Sequence, residues 1–174
     1  MVAGGVARHY SPVNDFISDL ARVGAPTRPL MTAGFLGFGV LAPLWARTLA
    51  GALDEPWLQT SVTAAGVGTL AVAALPLGAS WGDSPHAVAA GVSYLAMAST
   101  PILGGRSFAR SGNRAASLAS YAVGALSAGA LSASLLGRYA GAFQRGGLGV
   151  VDAWFVVLAV RELRRHSARR SVQP

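Results

Sequence analysis

Long apolar runs and short polar breaks alternate along this chain, and the scale of the alternation is that of a membrane protein. Uncharged runs cover 30–46, 60–80, 87–104 and 115–137 apart from single prolines and polar neutrals, each about 17 residues or longer, which is the length that crosses a hydrocarbon core. A fifth run, 146–160, is shorter and carries Asp152, but Arg161 and the arginines after it can snorkel to the interface and lengthen its reach. The breaks collect the charge: Asp54 and Glu55 lie in 47–57, the segment 81–86 reads WGDSPH, and Arg106, Arg110 and Arg114 fill the connector before the fourth run. The pattern predicts an all-α integral membrane helix bundle, a single transmembrane domain with five spans and a basic tail over 161–174.

Ahead of the first span the period changes. Val13, Phe16, Ile17 and Leu20 fall at i, i+3, i+4 and i+7, one stripe of a helix, while Asp15, Ser18, Asp19 and Arg22 occupy the other side. Ser11-Pro12 is a helix start signal, and Gly24 then Pro26 supply the stop. A short amphipathic helix over 12–23 is therefore expected, lying at the interface or folded over the bundle with its polar face toward whatever binds there.

Composition supports the membrane assignment and narrows the partners. Of 174 residues 52% are hydrophobic and 12% charged, and the 14 basic residues, all arginine, exceed the 7 acids for a net charge of +7. A nucleic-acid partner needs a basic face on a soluble module; here many arginines stand between apolar runs, where they orient the chain and attract anionic lipid. Nine arginines (Arg47, Arg106, Arg110, Arg114 and the tail set Arg161, Arg164, Arg165, Arg169 and Arg170) fall on one side, against five (Arg8, Arg22, Arg28, Arg138 and Arg145) on the other. The positive-inside rule then gives a multi-pass protein of the cell membrane with a cytoplasmic C-terminus and the 12–23 helix outside. Trp45 and Trp57 would mark the inner interface, and Trp81 and Tyr139 the outer one. The chain has no cysteine, which removes disulfides, thiolate catalysis and thiolate metal sites.

In the fourth span Ser120, Gly124, Ala128 and Ser132 recur at every fourth residue, as do Ala125, Gly129, Ala133 and Gly137 one position along. Such rows let helix backbones approach in lipid, and the first is the candidate surface for a homo-oligomer or a membrane partner. An alanine- and glycine-rich chain also generates such rows without any partner.

Candidate chemistry gathers on the outer side. In Asp83-Ser84-Pro85-His86 the first residues make an ordinary helix start; His86 either tops that helix or serves as a neutral base near a carboxylate. Asp152 inside a span is costly and pairs or functions, with Arg145 seven residues earlier on about the same helical face as its expected partner. Asp54-Glu55 has the look of an interface anchor. Convergence of the outer groups on one cavity would give a ligand site of Asp15, Ser18, Asp19, His86, Arg145 and Asp152, with Gln144 close by. Asp15 and Asp19 would touch a polar head group from above, His86 would be the titratable group, and Asp152 with Arg145 would line the floor.

Two function classes follow: a membrane protein that binds a lipid or a partner through this cavity, or an intramembrane lipid hydrolase with His86 as base and Asp83, Asp152 and Ser18 as the other catalytic candidates. Zinc is not expected, since only His86 and His9 stand on the outer side, His166 being in the tail, and no other cofactor motif occurs.

Tyr10-Ser11-Pro12, Asp15, Ile17-Ser18-Asp19-Leu20 and Gly24-Ala25-Pro26, running into the span that begins near Met31, resemble the domain-of-unknown-function family 998 of prokaryotic multi-spanning membrane proteins. His86 opening a later span and Phe143-Gln144-Arg145 before the last one are further, less specific matches. The resemblance covers nearly the whole chain and implies six transmembrane helices and no established reaction. Its first helix would precede Tyr10, where this chain has only the apolar fragment 2–7; the expectation is that DNA upstream of Met1 encodes, in frame, about 15 or more further apolar residues.

Overall fold

The computed structural model describes residues 10–170, with side chains as far as Arg164; the fragment 2–7, Arg8, His9 and the side chains of the tail beyond Arg164 lie outside the described residues. Among these residues there are five α-helices: α1 (Arg28–Leu53), α2 (Pro56–Ala74), α3 (Ser84–Arg110), α4 (Arg114–Ser134) and α5 (Ala140–Arg170). Successive helices pack side by side, and α5 returns to touch α3 and α1 as well.

The helix boundaries follow from proline, glycine and caps. Prolines at the first turns open α1, α2 and α3, and Asn113 opens α4 by accepting the Ala116 N–H at 3.1 Å. The run expected over 60–80 ends earlier, because Pro76 disfavours helical backbone at Leu75, where α2 has already stopped. Asp54 at φ 48° closes α1, and Gly137 at φ 82° separates α4 from α5. Pro43 and Pro101 stay inside their helices. One turn before Pro101 the hydroxyls of Ser61, Ser99 and Thr100 gather within 3.0 Å of the Ala96 carbonyl, a polar cluster buried between α2 and α3.

Apolar side chains cover the outer surface as well as the core, and small polar side chains are buried between the helices. Leu30, Leu41, Leu44, Val88, Leu95 and Leu118 are more than 60% exposed, while Ser120, Ser127, Ser134, Thr100 and Gln144 are almost fully buried. Three helices, α1, α3 and α4, are long and apolar enough to cross a membrane. This outer surface suits hydrocarbon, and the polar seam inside suits helices held by small residues and hydroxyls.

Small residues set the helix spacing. A Cβ on Gly66 would stand 2.7 Å from Pro43 Cδ and 3.0 Å from the Gly39 carbonyl, two rigid neighbours. Gly66→Ala is therefore expected to cost about 1–3 kcal/mol, as overpacking does, whereas Gly34→Ala, which meets nothing within 4 Å, should leave stability unchanged or slightly raised. Thermal unfolding of the two variants in one detergent checks this, and equal behaviour would show that α1 and α2 do not depend on this close approach. Of the row singled out in α4, Ser120 and Gly124 are buried within the chain, Gly124 against Ala98 and Ile102 and Ser120 accepting the Trp154 indole N–H at 2.9 Å. Half of the surface expected to face a partner is thus used internally, and Ala128 and Ser132 line a groove described below.

The expected amphipathic helix over 12–23 is corrected. Only Ile17–Ala21 is helical, as a single 3₁₀ turn, and the rest of the segment runs as turns across the end of the bundle. Local carboxylates set where helix begins: Asp15 accepts the Ser11 N–H at 2.7 Å, and Asp19 accepts the Phe16 N–H at 3.1 Å, which caps the turn at Phe16 and starts it late, at Ile17. The N–H of Ile17 is taken up by Gln144 Oε1 of α5 at 2.7 Å, so the segment is shaped by the bundle beneath it.

Candidate functional site

The N-terminal segment forms a cap over one end of the bundle, and the first turns of α5 fasten it. Arg145 Nη1 donates to the carbonyls of Pro12 at 2.6 Å and Asp15 at 3.0 Å, and Nη2 donates to the Tyr10 hydroxyl, whose ring lies 5.6 Å from the guanidinium carbon. The Ala142 N–H donates to the Val13 carbonyl at 2.9 Å, and a side chain at Gly141 would collide with the Asp15 carbonyl. At the opposite margin Arg22 binds Asp19 at 2.9 Å and approaches Asp83 at 3.6 Å, while the Val23 N–H donates to Leu77. Asp83 in turn accepts the Gly78 N–H at 2.7 Å; its side chain orders the α2–α3 loop and does not cap α3.

Beneath the cap lie two adjoining cavities that share Ser18, His86, Ala90 and Tyr94. The inner one, about 160 Å³, sits between α1, α2, α3 and α5 and reaches Thr69, Ser93, Gln144 and Asp152. The outer one, about 480 Å³, runs between α3 and α4 from Asp83 and His86 to Ala98, along Ala128, Leu131 and Ser132. Its walls are mostly apolar, and Leu95 and Leu135, 76% and 77% exposed, stand at its open side.

Most polar groups around the inner cavity are already engaged. The hydroxyls of Thr69 and Ser93 lie 3.0 Å apart and both reach the Ala65 carbonyl. Gln144, 2% exposed, accepts from Ile17 and donates to the Tyr94 hydroxyl. His86 differs. Its Nδ1 lies 2.8 Å from the Leu75 carbonyl, which can only accept, so Nδ1 carries the proton. Its Nε2 is fully buried and has no hydrogen-bond partner, in a side chain that lines both cavities.

The structure thus brings together Ser18, His86 and Asp152 of the expected ligand set, with Asp83 at the mouth of the outer cavity. It does not bring Asp15, Asp19 or Arg145 to the cavity wall. Those three are engaged by backbone or by each other's neighbours at the cap, as above. The expected Arg145–Asp152 charge pair is not formed: helical side chains lean toward the N-terminus, which carries the guanidinium to the unpaired carbonyls of the cap and away from a residue two turns later. Asp152 is an exposed member of α5 at the far end of the inner cavity. Tyr94 is a lining residue that the sequence expectations omit; a tyrosine amid the apolar run 87–104 is the signal, since a buried phenol seeks a partner. No group of three His, Asp or Glu suited to a metal occurs among the described residues.

The residues fastening the cap, Tyr10 to Ser18 with Gln144 and Arg145, are the ones that carry the family resemblance. A family profile described as "Protein of unknown function (DUF998)" matches residues 1–161. The chain belongs to the DUF998 family. No curated protein and no solved structure matches it. In this DUF998 protein the two sequence motifs, more than a hundred residues apart, form one structural unit, the cap and its fastening.

Proposed function

We propose that this membrane protein binds a lipid through the paired cavities under its cap. The observation that carries the proposal is the union of an apolar groove, open between α3 and α4 on a surface suited to hydrocarbon, with a buried polar end at Ser18, His86 and Tyr94. A cavity of about 480 Å³ falls in the range of small-molecule sites, roughly 300–1,000 Å³. The amphiphile would lie with its chain in the groove and its head at the polar end. Gly91 lines this groove, and a Cβ there meets nothing within 4 Å, so Gly91→Leu fills the groove without disturbing the helices. The wild type purified in mild detergent is expected to retain bound lipid in native mass spectrometry, and Gly91→Leu to lose it at unchanged thermal stability. Equal retention by both removes the groove from consideration.

The cap lies on the side that carries fewer arginines, so the cap is assigned to the outer face and the C-terminus to the cytoplasm. Reporter fusions after Arg165 and within 80–85 test the orientation; activity of a periplasm-dependent reporter at the C-terminal position would reverse it. Five spans, with α2 and α5 crossing as well, complete this arrangement.

A second reading, hydrolysis of a lipid ester, is favoured by one feature: Ser18 and His86, whose Nε2 has no hydrogen-bond partner, line the same cavity. The group orienting His86 is then the Leu75 carbonyl in place of the carboxylate expected from sequence. Release of fatty acid from long-chain esters, lost in Ser18→Ala and in His86→Ala, is the result this reading requires.

A further inference from the structure

We infer that the bound lipid is a single-chain amphiphile whose head is uncharged and donates hydrogen bonds, such as a monoacylglycerol; the inference rests on the lipid-binding reading and specifies its ligand. The decisive atom is His86 Nε2. The Leu75 carbonyl holds the proton on Nδ1, so in the uncharged form of the ring Nε2 is an acceptor, and it is buried and unpartnered on a side chain that lines both cavities. A buried acceptor without a partner is costly, and a ligand hydroxyl is the simplest group to satisfy it.

The charges around the junction point the same way. Asp83 borders the outer cavity and Asp152 the inner one, so the acidic and basic side chains lining the cavities, His86 apart, are carboxyl groups. Of the described arginines on the cap side, Arg22 is engaged on Asp19 and Asp83 and Arg145 on the carbonyls of Pro12, Asp15 and Gly141, and Arg28 and Arg138 are not among the cavity-lining residues. Neither Arg22 nor Arg145 lines either cavity. A phosphate or carboxylate head would meet an acceptor and two acids with no cation to balance it. Ser18 and Tyr94 add hydroxyls that both donate and accept, which suits a diol head with several orientations.

One chain is argued from the groove. The twelve steps from His86 to Ala98 along α3 span about 18 Å at ~1.5 Å per residue, the reach of one extended acyl chain, and the groove is bounded by a single pair of helices. Its open side toward Leu95 and Leu135 lets a chain enter from the bilayer without crossing the cap.

The test holds the chain constant and varies the head. Monooleoylglycerol, oleate, oleoyl lysophosphatidate and methyl oleate are titrated against the purified full-length protein, with binding read by native mass spectrometry and by the ¹⁵N resonance of His86 Nε2. Monooleoylglycerol is expected to bind saturably and to move the Nε2 resonance as the lone pair accepts a hydrogen bond. Oleate and lysophosphatidate are expected to bind at least about tenfold more weakly, the worth of one or more hydrogen bonds. His86→Phe should bring monooleoylglycerol down to the affinity of methyl oleate while leaving methyl oleate unchanged. Lysophosphatidate or oleate binding as tightly as monooleoylglycerol would overturn the head-group inference while leaving lipid binding intact. Failure of all four to bind saturably would instead overturn the lipid-binding reading itself. The comparison among ligands uses the wild type alone, so it decides even if His86→Phe does not fold.

Discussion

Replacing Arg145 with alanine releases the cap from the bundle. One guanidinium donates to the Pro12 and Asp15 carbonyls and to the Gly141 carbonyl of its own helix, and its second nitrogen reaches the Tyr10 hydroxyl. Each hydrogen bond from a charged donor is worth about 1.5–3 kcal/mol, so losing those to the cap costs on the order of 3 kcal/mol after water replaces part of them. The remaining attachments to α5, the Gln144 bond to Ile17 and the Ala142 bond to Val13, flank the lost ones and depend on the same approach of the segment to that helix. The effect is local, because the five helices pack on one another through contacts the cap does not share. Hydrogen exchange of the Asp15, Phe16 and Ile17 amides should accelerate strongly, and trypsin should cut after Arg22, with exchange in α2 and α3 unchanged. Arg145→Lys does not restore the cap, since a single ammonium cannot span the carbonyls and the phenol as a planar fork does. Asp152→Asn, the variant that would matter if the two residues were paired, leaves the cap closed. Wild-type exchange in Arg145→Ala would mean that the fastening lies elsewhere.

The five helices were legible because they rest on long apolar runs and on proline and glycine at their ends, signals that act within a few residues. The cap was not, for a reason visible in its atoms. The i, i+3, i+4, i+7 stripe of Val13, Phe16, Ile17 and Leu20 is compatible with a helix, but Asp15 and Asp19 hold backbone N–H groups of their own segment, and Ile17 gives its N–H to a residue 127 positions away. Periodicity reports which side chains could share a face; it is silent on competition from distant acceptors. The cavity was half legible. Ser18, His86 and Asp152 were found because polar residues on one side of a membrane bundle have few places to go, whereas Asp15, Asp19 and Arg145 were drawn off by backbone groups that no residue pattern displays. Tyr94 and Gln144 owe their importance to each other, and that pairing exists only once α3 and α5 are side by side.

Arg110→Ala is expected to destabilise the whole bundle more than any other exchange of a charged residue on the side opposite the cap. Glu55, read from sequence as an interface anchor, is 3% exposed at the residue preceding α2, and its carboxylate lies 3.0 Å from Arg110 Nη2. The same guanidinium donates to the Asp54 carbonyl at 3.0 Å, at the residue whose φ of 48° closes α1, and Ser107 of α3 donates to the Leu53 carbonyl beside it. The end of α3 therefore holds the α1–α2 turn by three groups. Removing Arg110 leaves a buried carboxylate without its cation, which costs roughly 3–5 kcal/mol in a closed interior; Arg110 is 51% exposed, so water reaches its side of the pair and about 2–3 kcal/mol is the expected loss. The cause can be separated from the loss of packing. Glu55→Gln keeps the shape and removes the charge, so alone it should cost under about 1 kcal/mol, and added to Arg110→Ala it should restore most of the lost stability. Thermal unfolding of the two single variants and the double variant in the same detergent measures the coupling. If the double variant is no more stable than Arg110→Ala, the unpaired carboxylate is not what unfolds the protein, and the role of Arg110 reduces to its bond with Asp54.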